Sequence, residues 1–139
     1  MWQKSGDLTV QTLGKGLTDI TRKVDQFLLD IGARQGVLTL FIQHSSASLT
    51  IQENADPDVQ RDLEDYMEKI VPEGHGLYRH DSEGLDDMPA HIRSALTDVS
   101  LTIPVLQGEM RLGTWQGIYV FEHRERPHNR HLALHFIGE

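Results

Sequence analysis

Eight histidines in 139 residues are the most chemically loaded feature of this chain. Neutral imidazole is the commonest metal ligand and the side chain that changes charge nearest neutral pH. Three of the eight stand in polar company at a turn or a helix start. His44 opens the run His44-Ser45-Ser46-Ala47-Ser48 between two apolar segments, where buried polar groups are costly unless hydrogen-bonded. His80 belongs to Tyr78-Arg79-His80-Asp81, and His91 follows Asp86-Asp87-Met88-Pro89-Ala90. The aspartates of these blocks can hold Mg²⁺ through oxygen, and Arg79 or Arg93 can meet a phosphate with paired N–H donors. The plainer readings are a hydrogen-bonded turn at His44 and a charged surface loop around residue 80.

Two further groups could carry chemistry. Glu53, Asn54 and Asp56 stand at a helix start whose backbone amides suit an anion, although Asp56 there is also an ordinary N-cap. In Gly113-Thr114-Trp115-Gln116-Gly117 the glycines permit close backbone approach and Trp115 can stack on a flat ring; a tight strand start with a core tryptophan is the competing reading. The remaining histidines are His75 in a Gly-flanked loop, and His123, His128, His131 and His135 near the C-terminus. His131, Ala133 and His135 alternate onto one strand face, an ordinary polar surface. No phosphate-binding P-loop, G-x-S-x-G elbow or H-E-x-x-H pair occurs.

The elements that must position these residues follow from hydrophobic period and turn chemistry. Leu8–Leu13 predicts a strand. Thr18 is positioned as an N-cap for a helix with apolar residues Ile20, Val24, Phe27, Leu28 and Ile31, stopped by Gly32. Val37–Ile42 is almost continuously apolar and predicts a strand buried on both faces; Ser48–Gln52 predicts another. Asp56-Pro57 opens a second helix, with Val59, Leu63, Met67 and Ile70 as its buried stripe. A long polar loop spans Gly74–Met88. A third helix runs from about Pro89 through Leu96. Strands then follow at Leu101–Val105, Glu109–Leu112, Thr114–Glu122 and His131–Ile137, with a turn at Gln107-Gly108. Six or seven strands and three helices predict an α+β fold, a single compact domain over residues 1–139 with a mixed or antiparallel sheet.

Composition narrows the class. Thirteen basic against 21 acidic side chains give a formal charge of −8, which argues against nucleic acid and against an anionic membrane surface as partners. The absence of cysteine removes disulfides, thiolate nucleophiles and thiolate metal sites. With no signal-peptide pattern at Met1–Asp7 and no apolar run of about 20 residues, a cytoplasmic protein is the expectation.

Three blocks in order resemble a known family: His44-Ser45-Ser46-Ala47-Ser48-Leu49-Thr50-Ile51-Gln52-Glu53-Asn54-Ala55-Asp56-Pro57; Tyr78-Arg79-His80-Asp81 with Asp87-Met88-Pro89-Ala90-His91-Ile92; and Leu112-Gly113-Thr114-Trp115-Gln116-Gly117-Ile118. Together they resemble the secondary thiamine-phosphate synthase family over nearly the whole chain. The resemblance implies a homotrimer and a weak transferase that joins a pyrimidine methyl diphosphate to a thiazole phosphate with release of pyrophosphate. It carries over His44, Thr50, Glu53, Asn54, Asp56, His80, Asp87, His91, Thr114 and Gln116 as site residues. Asp87 stands where that pattern often has Asn, and Ser46-Ala47-Ser48 replaces Ser-Ala-Gly.

Such a reaction needs cationic charge at the leaving group and a dry slot for two rings. On that reading His44, Glu53 and His91 are catalytic. Thr50, Asn54, Asp56, Arg79, Asp87, Thr114, Trp115 and Gln116 bind substrate, with Mg²⁺ at Asp87 or Glu53. An alternative equally compatible with the residues has His44, His80 and His91 binding a transition metal such as Zn²⁺ with an open position. The protein is then a metal-dependent hydrolase or a binding protein for a small phosphorylated metabolite.

Overall fold

The computed structural model describes all 139 residues. In chain order the elements are β1 (Trp2–Thr12), β2 (Gly16–Asp19), α1 (Thr21–Ile31), β3 (Gly36–Ile42), β4 (Ala47–Glu53), α2 (Pro57–Ile70), α3 (Asp87–Leu96), β5 (Ser100–Leu106), β6 (Glu109–Met110), β7 (Gln116–Glu122) and β8 (His128–Gly138). Every strand pairing is antiparallel. One sheet has five strands in the order β1-β8-β3-β5-β6 and the other has three in the order β2-β7-β4. With three helices this is the expected α+β domain.

Alternation explains the larger sheet. Leu38, Leu40 and Ile42 of β3, Leu132, Leu134 and Phe136 of β8, and Ile103 and Val105 of β5 all point to one side. There they join Leu49, Ile118 and Val120 of the smaller sheet and Val24 and Leu28 of α1 in one 17-residue core. The opposite face of the large sheet is open, with Val37, Phe41 and Ile137 each 46% exposed. Thus β3 is buried on one face rather than two. The strand with both faces covered is β7, where Gly117 through Glu122 are all buried, because Met67 of α2 and Arg93 of α3 close over Phe121 and His123 on its other side.

Two further expectations change. Thr18 is not a helix cap: it lies in β2, paired with Val120, and α1 starts three residues later with Asp19 Oδ1 accepting the Thr21 N–H at 2.9 Å. The stripe proposed for α2 is only half-buried, and Ile70 is 44% exposed. Strand β1 begins at Trp2 rather than Leu8, α3 at Asp87 rather than Pro89 and β7 at Gln116 rather than Thr114, and β6 ends at Met110 rather than Leu112, while two helix ends agree. Gly32 closes α1 with φ 69°, a left-handed cap that favours glycine, and Asp56 caps α2 with Pro57 in its first turn. No helix is long and apolar enough to cross a membrane.

Candidate metal centre and its surroundings

The start of α3 creates the densest cluster of ligand atoms. A spacing of four residues puts Asp87 and His91 on one helix face, and the preceding polar loop returns His80 to the same spot. Gly84, at φ 106°, permits that return, and its carbonyl accepts the Asp87 N–H. Ligand atoms of His80, Asp87 and His91 lie within 4.8 Å of one another. Asp87 Oδ2 is 2.6 Å from His80 Nε2 and 3.2 Å from His91 Nε2. Glu83 Oε2 is 3.1 Å from His80 Nε2.

The supports around the cluster set its protonation. Arg124 Nη1 donates to Asp87 Oδ1 at 2.6 Å, and Arg124 Nε donates to Asp86 Oδ2 at 2.9 Å. Burial opposes ionisation of Asp87, but the hydrogen bond with His80 and the charge of Arg124 outweigh it and hold its carboxyl below the usual range. The hydrogen bond to Asp87 in turn raises the pKa of His80. His91 Nδ1 lies 2.9 Å from the Ser45 carbonyl oxygen. A carbonyl only accepts, so Nδ1 carries the proton. Nε2 of a neutral His91 is then a lone pair facing a carboxylate oxygen. Two acceptors at that separation repel unless a proton or a cation lies between them.

His44 is placed differently. Its Nε2 accepts the His131 N–H at 2.8 Å and its Nδ1 is 3.2 Å from Arg130 Nη1, so the structure gathers His80 and His91 with Asp87 while His44 joins a buried network. There Arg130 clamps Glu122 through Nε at 2.8 Å and Nη2 at 2.5 Å. Thr12 Oγ1 donates to the same carboxylate at 2.6 Å. Burial would raise the Glu122 pKa, yet Arg130 and Thr12 hold it low. Its neighbour His123 is 1% exposed; burial, reinforced by the charge of Arg93, takes its pKa down to about 3.

The other expected site residues lie elsewhere. Strand β4 pairs Ala47 with Glu122 at one end and Glu53 with Gln116 at the other, so seven residues, about 20 Å, separate the metal cluster from Glu53, Asn54, Asp56, Thr114, Trp115 and Gln116. At that far end Glu53 Oε2 accepts the Asp56 N–H, Asp56 Oδ1 accepts the Asp58 N–H, and Gln116 Oε1 accepts the Gly113 N–H. Trp115 is 62% exposed rather than a core residue. Thr50 lies within β4 opposite Tyr119. Arg93 is buried and donates to the Val71 carbonyl, which leaves the exposed Arg79 as the nearer available cation in sequence.

The sequence reading missed Arg124, Glu122 and Arg130. Their only signal was position: Glu122 and His123 continue an apolar strand and so had to be buried with partners. His131 and His135 do lie on an outer strand face, where His135 contacts Ser5 and Gln3.

Residues 6–139 match the protein family described as UPF0047 protein YjbQ-like. A UPF0047 protein of Synechocystis sp. is 51% identical over 132 residues, covering 95% of this chain and 90% of its own. The UPF0047 protein YjbQ of Escherichia coli O157:H7 is 41% identical over 140 residues, the full length of both. A conserved hypothetical protein of Thermus thermophilus has a similar structure, with a TM-score of 0.86, 34% identity, and coverage of 95% of this chain and 99% of that one.

These matches correct the expected membership in a thiamine-phosphate synthase family: the three blocks belong to a YjbQ-like sequence, and neither the family description nor these names points to thiamine-phosphate synthesis. Within the chain, Trp115, expected to stack on a ring, and the histidine cluster lie at opposite ends of β4. The homotrimer rested on the same resemblance and has no other support.

Proposed function

The chain belongs to the YjbQ-like UPF0047 family, and from the site that its fold builds we propose that His80, Asp87 and His91 hold a divalent transition metal that receives a small phosphorylated metabolite. The observation that carries this reading is the convergence of ligand atoms of His80, Asp87 and His91 within 4.8 Å of one another, with the lone pair of a neutral His91 turned to the carboxylate 3.2 Å away. Two imidazoles and one carboxylate favour Zn²⁺ or a similar ion over Mg²⁺, which prefers oxygen donors. Three protein ligands leave a position open for a substrate oxygen, which the metal would polarise as a Lewis acid.

The surrounding residues have separate tasks. The Ser45 carbonyl fixes the His91 tautomer, and Arg124 orients Asp87 so that Oδ2 faces the ion, the kind of support on which metal affinity depends. Arg79, next to His80 and without an ion-pair partner, is available to a phosphoryl group. A chain with no cysteine suits the reducing cytoplasm, where this activity would be placed.

The test is metal content after equilibration with Zn²⁺ and gel filtration. The wild-type protein should retain about one ion per chain, as one three-ligand site requires, and His91→Ala should retain none. Equal retention by both would overturn the reading.

A further inference from the structure

His44 makes two contacts that cannot both be hydrogen bonds. The His131 N–H points at Nε2 from 2.8 Å, while Arg130 Nη1 points at Nδ1 from 3.2 Å. A neutral imidazole has one acceptor nitrogen, and a guanidinium has only donors. The backbone contact decides which nitrogen accepts. The β3–β8 ladder ends at Ile42 opposite Leu132, and the His131 carbonyl takes the Gln43 N–H. The His44 ring supplies the acceptor for the next N–H of β8. Its proton therefore sits on Nδ1, facing another donor.

Arg130 has no freedom to turn away. It is 3% exposed, and its Nε and Nη2 are engaged by the two oxygens of Glu122, with Ser46 O also 3.2 Å from Nη2. Glu122 is itself fixed by Thr12 Oγ1 and by the backbone N–H groups of His123 and Arg124. Nη1 is the guanidinium nitrogen without an acceptor. Two donors 3.2 Å apart can both reach a single oxygen at ordinary hydrogen-bond length.

We infer that His44 Nδ1 and Arg130 Nη1 form a subsite for one oxygen of a phosphate or carboxylate group. This deepens the proposed function by naming the ligand chemistry next to the metal centre. Ser46 O contacts Arg130 and Ser45 O contacts His91, so adjacent residues, with Cα atoms about 3.8 Å apart, link a surplus of donors to a surplus of acceptors. A negatively charged group on one side and a cation on the other resolve both.

The experiment uses ¹⁵N-histidine NMR on metal-free protein. It titrates inorganic phosphate and, separately, acetate, into the wild type and into His44→Gln. Glutamine keeps an oxygen where Nε2 accepts the His131 N–H but lacks the Nδ1 donor. Three results are expected: an Nδ1–H tautomer at His44, a saturable shift of that resonance with either anion, and a loss of affinity of about tenfold or more in His44→Gln, the scale of one charge-assisted hydrogen bond. The tighter anion identifies the phosphoryl or carboxyl class. An Nε2–H tautomer, a subsite occupied by water only with no saturable shift, or equal affinity in His44→Gln would each overturn the inference. Zn²⁺ retention by His44→Gln is measured alongside; retention with loss of anion binding separates this subsite from the metal centre, whose failure shows instead as no metal in the wild type.

Discussion

The two ends of β4 carry similar numbers of polar side chains and use them in opposite ways. At the Glu53 end the side chains serve the backbone: Glu53, Asp56 and Gln116 each accept an N–H from a residue two or three positions away. These bonds hold the helix start and the turn before β7, and each engages one oxygen of a side chain that the sequence left available for chemistry. At the Ala47 end the side chains meet one another across long stretches of chain. Asp87 is held by Arg124, 37 residues away, and His91 by Ser45, 46 residues away. What remains there sets like against like: a neutral His91 faces a carboxylate as acceptor to acceptor, and His44 faces Arg130 as donor to donor. A polar group invites a ligand most strongly where the protein sets like against like, and the Ala47 end of β4 is where His91 meets Asp87 and His44 meets Arg130.

The largest effect should separate the two ends directly. Asp87→Asn keeps the shape and the acceptor for Arg124 but removes the anionic ligand. We expect it to weaken Zn²⁺ binding by about 1000-fold, roughly 4 kcal/mol, in a competition titration with a chromophoric chelator. Glu53→Gln, at the far end, should leave the affinity at the wild-type value. A comparable loss in both variants would break the distinction, because it would mean that metal binding reports general stability rather than one cluster.

How much of this the residues announced depends on how far apart the partners lie. Local devices were legible: the left-handed Gly32 closing α1, Asp56-Pro57 opening α2, and the Gln107-Gly108 turn, where Gln107 takes φ 56°. Asp87 and His91 share a helix face because α3 starts at Asp87, two residues before the start expected at Pro89. His80 stood out by its polar neighbours, although nothing in its spacing brings it to Asp87. The Arg124 and Arg130 pairings were hidden because no periodicity links residue 124 to 87 or residue 130 to 44. The burial of β3 was misjudged for a related reason. An apolar run cannot say whether a helix will cover its second face, and α2 covers β7 instead. The three polar blocks stand out in the sequence, and within the chain the fold sets them at opposite ends of β4.

A smaller effect tests the buried support behind the metal-facing end. His123 has an ordinary value of 6.5 and a folded value down to about 3, so between these values the unfolded chain binds a proton that the native protein does not. Its stabilising contribution is complete above pH 6.5 and declines as pH falls towards 3, by up to about 1.4 kcal/mol per pH unit. The raised pKa of His80 acts in the opposite sense, so the measurement must be a difference. Urea unfolding at pH 6.5, 6.0, 5.5 and 5.0 should show a flatter slope for His123→Gln than for the wild type, since glutamine can accept from Ser48 Oγ, which lies 2.9 Å from His123 Nε2, without titrating. Identical slopes would mean that His123 is accessible to protons in the native state.

The smallest effect bears on the other end of β4. Asp56 is 2.9 Å from the Asp58 N–H through its side chain, and its backbone N–H is taken by Glu53. Both contacts belong to the start of α2. If that is its whole task, Asp56→Ala should cost about 1 kcal/mol, the ordinary loss of an N-cap, read as a lower urea midpoint with an unchanged slope. Pro57 keeps the first turn preorganised in the variant, so the helix should persist and the loss should not grow into local unfolding. Zn²⁺ and phosphate affinities should stay at wild-type values, because the cap lies about 20 Å from the cluster along β4. A fall in either affinity at unchanged stability would show the two ends to be coupled, most directly through β7, whose Gln116 and Glu122 pair with opposite ends of β4.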